Sequence, residues 1–332
     1  MHAAIAVAHP NVALVKYWGK RDRVLNLPAV GSISVTLAGL STVTRVCFDG
    51  TLERDEVIVE GLPGGEAGAR VAAFLDLVRG MAGVDAHARV ESRNDFPTGA
   101  GLASSASAFA ALALAATRAA GLKLSRRELS ILARRGSGSA ARSVFGGFVE
   151  WHRGERGDGL DAFAEQLLPE DAWPLVVLVA VTSQMPKPVG STEGMELSRL
   201  TSPFWPAWVE SAPAMLAAMR EAIAARDLAR VGELAEHSCL AMHAVAMSAR
   251  PGLVYWNAAT VAAMHAVREL RRAGVEAYFT VDAGPQVKVL AAPGDAGRVR
   301  EVLGAVPGVE RVIDSGPGPE ARLYDEARLG RT

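Results

Sequence analysis

The sequence predicts an α+β protein of two domains, on three observations. The first half interleaves short β-rich runs with helical patterns; a stretch rich in Pro, Gly, Ser and Thr from Gln184 to Ser202 breaks the periodicity; the second half alternates long helices with strands suited to antiparallel pairing. The expected division is 1–183 and 184–332, with the loose stretch as hinge. At 332 residues, half of them apolar, the chain can build more than one sizeable core.

Ile33 to Leu37 alternates on a period of two, and Val43 to Phe48, Val57 to Glu60 and Ala86 to Glu91 are further β-rich runs. Between them Ala69 to Met81 has the spacing of an amphipathic helix. Ala106 to Ala120 is alanine-rich and strongly helical, with Gly121 placed to end it. Ser125 opens the next helix and Glu128 completes a capping box; that helix runs to Gly136. Gly146 to Trp151 and the almost wholly apolar Leu175 to Thr182 predict strands, the second buried. Beyond the hinge, helices are expected over Ala207 to Ala225, Leu228 to Ala246 and Ala258 to Ala273. Strands over Ala277 to Val281 and Gln286 to Ala291 follow, then a helix near Arg298 and an exposed irregular tail after Ser315.

Charge and composition exclude several classes of function. Lys and Arg number 35 against 36 Asp and Glu, so no overall basic field draws the protein to nucleic acid or to an anionic membrane. Cys47 and Cys239 lie far apart in apolar surroundings, as reduced thiols do. No segment has the length of a membrane span or the pattern of a signal peptide, which predicts a soluble, cytoplasmic protein. The seven histidines show no metal-ligand spacing, and no Ser-His-Asp arrangement can be read.

The densest chemical signal runs from Asn94 to Ser107, a loop rich in glycine and hydroxyls directly before the alanine-rich helix. Pro97, Gly99, Gly101 and Leu102 shape a backbone that can approach an anion, and the first helical amides point at it unsatisfied. Ser104, Ser105 and Ser107 add hydroxyls for phosphate oxygens or a magnesium ion. The loop is neither a Walker motif, since Leu102-Ala103-Ser104 stands where Gly-Lys-Ser/Thr is needed, nor a dinucleotide fingerprint, whose third glycine is Ser104 here. Alone, it equally suits a helix cap with small residues for close packing.

Three other segments carry candidate groups. Lys16 follows an apolar run, where an enclosed ammonium calls for an anion, with Tyr17 and Lys20 near it; Trp18 suits core packing better. Ser137 and Ser139 flank Gly138, and Arg142 offers a bidentate fork, although a Gly-Ser linker has the same composition; Arg134 and Arg135 read as solvated helix-end charges. Asp282 closes an apolar strand beside a Gly-Pro turn, either as turn chemistry or as a general base or alcohol-orienting group.

Together these segments resemble the GHMP superfamily of small-molecule kinases, and within it the mevalonate diphosphate decarboxylase family, over nearly the whole chain. The resemblance rests on Lys16 to Asp22 with Leu25 to Pro28 and Ser32 to Leu37, on Pro97 to Ser107, and on Gly136 to Ser139 with Arg142 and Phe145 to Gly147. It continues through Thr192 to Met195, Thr201-Ser202, His243-Ala244 and Asp282 to Pro285. It implies a GHMP-kinase-like fold with the site between the domains, usually in a homodimer, and ATP-dependent decarboxylation of mevalonate 5-diphosphate after phosphorylation of its 3-hydroxyl. Asp282 and Lys16 would then be catalytic; Tyr17, Lys20, Ser137, Ser139, Arg142, Ser191 and Thr192 would hold substrate; Pro97, Gly99, Gly101, Leu102, Ser104, Ser105 and Ser107 would hold ATP, with Ser105 near Mg2+. Ala141, Gly190, Gln286 and the segment Ser238-Cys239-Leu240 depart from the family pattern, and Gly190 and Gln286 leave substrate contacts in the second half open. A decarboxylase of mevalonate 5-phosphate, a plain GHMP kinase and a silent metabolite-binding protein remain as alternatives.

Overall fold

The computed structural model describes residues 3–60, 65–96, 104–183, 185 and 188–324. Its first sheet has five strands, β1 (Ala3–Ala8), β6 (Thr42–Asp49), β7 (Glu56–Val59), β8 (His87–Asn94) and β15 (Arg322–Leu323), in the order β15-β1-β6-β8-β7. Only the β7 and β8 pair is parallel. Strand β6 alternates buried and half-buried residues, so one face is free to take helices. Helices α1 (Glu66–Ala82), α2 (Ser104–Ala119) and α3 (Arg126–Gly136) supply them. Helix α2 is buried almost all round because Ala110, Ala111, Ala113, Ala115 and Ala116 let the sheet and the other helices approach its backbone. The expected capping box of α3 is present, with Ser125 and Glu128 bonded reciprocally.

A second sheet, β10 (Ala164–Leu168), β9 (Phe148–Trp151), β5 (Ser32–Thr36) and β2 (Asn11–Val15), is antiparallel in that order. The third runs β12 (Ala277–Thr280), β13 (Val287–Ala291), β11 (Val176–Val181), β14 (Arg311–Ser315), also antiparallel. Helices α7 (Ala258–Arg272) and α8 (Ala296–Gly304) contribute Met264, Val267, Val299 and Leu303 to a core with Phe279 and Val287 of this sheet. Helices α5 (Trp205–Ala225) and α6 (Leu228–Met247) join the halves: Met219, Ile223, Val231 and Leu234 share one apolar cluster with Val12 and Ile33 of the second sheet and Val177 and Leu290 of the third. A short hairpin, β3 (Lys20–Asp22) with β4 (Leu27–Pro28), projects from the end of β2.

The structure differs from the sequence expectations at four places. The stretch expected to be a loose hinge contains α4 (Ser191–Thr201), whose single buried face, Gly194, Met195 and Ser198, is too short to give a strong periodic signal. Strand β11, before the expected boundary at 183, pairs with β13 and β14 of the later half. The tail after Ser315 is ordered through distant partners: Gly318 donates to Thr36 O at 2.7 Å, Pro317 bridges Leu37, Arg126 holds Ala321 O at 2.6 Å, and β15 pairs with β1. A Cβ on Gly318 would lie 2.4 Å from the Leu37 carbonyl carbon, so glycine is what admits this crossing. Finally, Arg134 is no solvated charge; it is buried and clamps the carbonyls of Leu25, Gly159 and Ala162 at 3.1, 2.7 and 2.5 Å.

Candidate active site

A cavity of about 720 Å³ opens between the end of β2, the start of α2 and residues 136–142 on one side, and the start of α4 and the turn after β12 on the other. That volume suits a small-molecule site. Its inner end is built by β2, five buried residues that deliver Lys16 into the interior. Lys16 Nζ donates to Ala13 O at 2.8 Å and to Asp282 Oδ1 at 2.7 Å, which brings together two groups 266 positions apart. The Lys16 side chain is 1% exposed, while Asp282 keeps 26%, so the carboxylate still faces the cavity. Burial alone would raise the Asp282 carboxyl; Lys16, then Lys288 and Arg142, overcome this and hold it well below the usual carboxylate range. It is therefore an ionised hydrogen-bond acceptor and a weak base.

His243 steadies the same turn from behind, its Nε2 2.9 Å from Asp282 O and its ring 4.6 Å from that of Trp256. Burial, and next the Lys16 charge, lower its pKa to about 4, so the neutral ring donates from Nε2. Gln286 is spent locally: Oε1 accepts the Thr182 amide at 2.6 Å and Nε2 donates to Ser183 O. It closes the end of β11, is fully buried and does not line the cavity.

The outer wall is cationic and rich in hydroxyls. Tyr17 packs edge-on against Trp151 at 4.8 Å, and among the described residues its buried hydroxyl has no hydrogen-bond partner; a Cβ on Gly138 would sit 2.7 Å from it. Lys20 Nζ donates to Asn26 Oδ1 at 2.7 Å and to Thr192 Oγ1 at 3.4 Å. Burial, then the Arg70 and Arg23 charges, lower Lys20 to about 8. Ser105, Ser137 and Ser139 form a chain of hydroxyls with 3.3 and 3.5 Å steps, linking the start of α2 to the Gly-Ser segment. Ser191 and Thr192 open α4, and with its N-cap Gly190 they line the cavity. Trp18 is core, as expected, with Nε1 on Ser198 Oγ at 3.0 Å.

Two expected contacts differ. Arg142 does line the cavity, but its fork is engaged: Nε and Nη2 reach Asn11 Oδ1 at 3.2 and 3.0 Å, and Nη1 reaches Ser32 Oγ at 2.5 Å. Burial lowers it to about 10, so it stays charged at neutral pH, with one hydrogen left on each terminal nitrogen. Ser107 is fully buried and bonded to Thr42 Oγ1 at 2.6 Å, so it packs the base of α2 and cannot reach a ligand. Ser104 opens α2; Pro97, Gly99, Gly101 and Leu102 lie outside the described residues.

A protein-family model for the diphosphomevalonate decarboxylase-like N-terminal domain matches residues 8–164, and one for the mevalonate 5-diphosphate decarboxylase C-terminal domain matches residues 177–315. The chain belongs to the diphosphomevalonate decarboxylase family. Diphosphomevalonate decarboxylase mvd1 of Aspergillus fumigatus is 37% identical over 92% of this chain and 81% of its own length. The solved structure of MDDEF in complex with MVAPP, AMPPCP and magnesium superposes with a TM-score of 0.91 at 40% identity, covering 98% of this chain and 99% of the other. The phosphomevalonate decarboxylase of Haloferax volcanii is 37% identical, with 98% of each chain covered.

Within this family site, sequence reasoning missed Asn11, Arg23, Arg70 and Lys288. Asn11 and Arg70 sit inside a strand and a helix with no local motif, and only the fold brings them to the cavity. Lys288 did leave a signal: it is a lone charge in the strand Val287–Ala291, otherwise apolar and wholly buried. As for a metal, no group of three His, Cys, Asp or Glu among the described residues could hold one. The residues present fit a divalent cation carried by a nucleotide's phosphates, with the exposed Ser105 hydroxyl as the protein's contribution. Among the described residues no helix is long and apolar enough to cross a membrane.

The lowered Lys20 pKa gives a kinetic expectation. A lysine loses its charge as pH rises through its pKa, so kcat/KM for an anionic substrate falls above about pH 8. In Lys20→Arg this alkaline limb moves up by at least about one pH unit, because arginine stays protonated. A pH profile of both proteins checks this; an unmoved limb assigns it to another group.

Proposed function

We propose that this chain is an ATP-dependent decarboxylase that converts mevalonate 5-diphosphate to isopentenyl diphosphate, with ADP, phosphate and carbon dioxide as the other products, in isoprenoid biosynthesis by the mevalonate pathway. The observation that carries the proposal is the ionised Asp282, held by Lys16, at the inner end of a cavity whose outer wall presents Lys20 and the serine chain. An anionic chain anchored at that wall would extend its alcohol toward the carboxylate.

In this mechanism Asp282 accepts a hydrogen bond from the tertiary 3-hydroxyl and orients its oxygen toward the γ-phosphorus of ATP. The new O–P bond forms as the bond to the β,γ-bridging oxygen breaks and ADP leaves. Because Asp282 is a weak base, it takes the hydroxyl proton late, as suits a loose phosphoryl transition state. Lys16 neutralises charge beside the migrating phosphoryl group. The C3–O bond then breaks with its electron pair going to phosphate, and the C1–C2 pair becomes the new C2–C3 double bond as carbon dioxide departs. Magnesium, when bound with the nucleotide, spreads the charge of the transferring group. Tyr17, Ser137, Ser139, Ser191 and Thr192 would hold the diphosphate, and Ser104 and Ser105 the nucleotide.

A second substrate, mevalonate 5-phosphate, is favoured by two observations: the likeness to the Haloferax volcanii enzyme, and the engagement of the Arg142 fork by Asn11. Against it stands the cationic, hydroxyl-rich outer wall, which a diphosphate matches with more acceptor oxygens and more negative charge. Mass analysis of products formed from each substrate with ATP and magnesium separates the two. A homodimer in the cytoplasm completes the proposal; light scattering that returns the mass of a single chain, at micromolar concentration, contradicts the dimer.

A further inference from the structure

Asp282 has a second cation. Lys288 Nζ lies 3.4 Å from Asp282 Oδ2, opposite Lys16 on Oδ1, and the Lys288 side chain is only 1% exposed. The sheet explains the meeting. Lys288 on β13 pairs with Thr280 on β12, and Asp282 follows two residues later on the same face, so the two side chains are diagonal neighbours. Every other residue of β13 is Val, Leu or Ala, and the position is flanked by β11, where Val179 is the partner. An aliphatic side chain would fill this place without the cost of desolvating an ammonium. Burial works against the Lys288 charge, and the Asp282 carboxylate beside it works to keep it.

We propose that Lys288 is a positioning residue of the reaction: by pairing with Oδ2 while Lys16 holds Oδ1, it fixes the plane of the Asp282 carboxylate so that its remaining lone pairs face the substrate alcohol. Lys288 itself touches no substrate. The inference rests on the role of Asp282 proposed above, and a double-mutant cycle keeps the two apart. Single-turnover rates are measured for the wild type, Lys288→Met, Asp282→Asn and the double variant, with dissociation constants for ATP and mevalonate 5-diphosphate and a thermal melt for each.

Lys288→Met should lower the rate about 20-fold, the scale of a misplaced reacting group, with both dissociation constants within about threefold of wild type. In the Asp282→Asn background the same substitution should cost less than about twofold, since the carboxylate it orients is gone. Independent, multiplying losses overturn the positioning role, as does a change confined to ligand affinity. Retention of rate by Asp282→Asn alone would instead overturn the role of Asp282. If Lys288→Met does not fold, Lys288→Gln, which keeps length and a donor but no charge, carries the same cycle and the same outcomes.

Discussion

Asp282→Asn should reduce kcat by two to four orders of magnitude while leaving the dissociation constants of ATP and substrate within a few-fold of wild type. Asparagine has nearly the same shape, so the fold around the turn should survive. What it loses is the negative charge that Lys16 and Lys288 face at 2.7 and 3.4 Å and that orients the alcohol. Two ammoniums then remain buried without their anion, which costs some stability, yet an incoming phosphate can offset this when ligand binds. The loss therefore falls on the chemical step, by about 3 to 5 kcal/mol of transition-state stabilisation. Isothermal titration with single-turnover kinetics separates the two; a variant keeping more than a tenth of the rate removes Asp282 from this role.

Arg142→Lys should lower kcat/KM about 30-fold and also lower the melting temperature. Lysine keeps the positive charge but cannot reach Asn11 Oδ1 with two nitrogens while also bonding Ser32 Oγ. Asn11 in turn bonds Ser143 Oγ at 2.7 Å and Ser139 O at 3.2 Å, so loosening it disturbs the serine segment that faces the ligand. Losing charge-assisted hydrogen bonds in the interior costs about 2 kcal/mol, which is the basis of the figure. The preference for diphosphate over monophosphate should narrow in the same variant. A variant with wild-type kcat/KM and an unchanged melt contradicts the role of the Asn11 and Ser32 contacts and leaves Arg142 its charge alone.

What could be read in advance follows from how local each signal is. The capping box of α3, the β-rich run of β6 and the alanine-rich stretch of α2 are written in neighbouring residues, and each element formed where its pattern lay. Lys16 and Asp282 were legible for the same reason, each being a charge at the end of an apolar strand. The tail over residues 316–324 was not, because Gly-Pro-Gly-Pro carries no period and its order comes from Leu37, Gly147 and β1, far away in the chain. Arg134 and Ser107 misled for a related reason. Their neighbours suggest a helix end and a phosphate loop, while their partners, the carbonyls of Gly159 and Ala162 and the hydroxyl of Thr42, arrive from other elements. Lys288 shows the converse: its oddity in an apolar strand was visible, but its meaning required the register that sets it beside Asp282.

In the proposed reaction the cationic, hydroxyl-rich outer wall anchors a diphosphate while Asp282 orients an alcohol at the far end. Tyr17, Lys20, Ser137 and Ser139 line that wall, and a diphosphate brings it more acceptor oxygens and more negative charge than a monophosphate does. The most direct test is kcat/KM for carbon dioxide release from mevalonate 5-diphosphate and mevalonate 5-phosphate, measured in parallel with ATP and magnesium. The diphosphate should be favoured at least tenfold, about 1.4 kcal/mol or more of transition-state binding, and should yield isopentenyl diphosphate. Equal or reversed efficiency would contradict the diphosphate assignment and identify the monophosphate as the substrate.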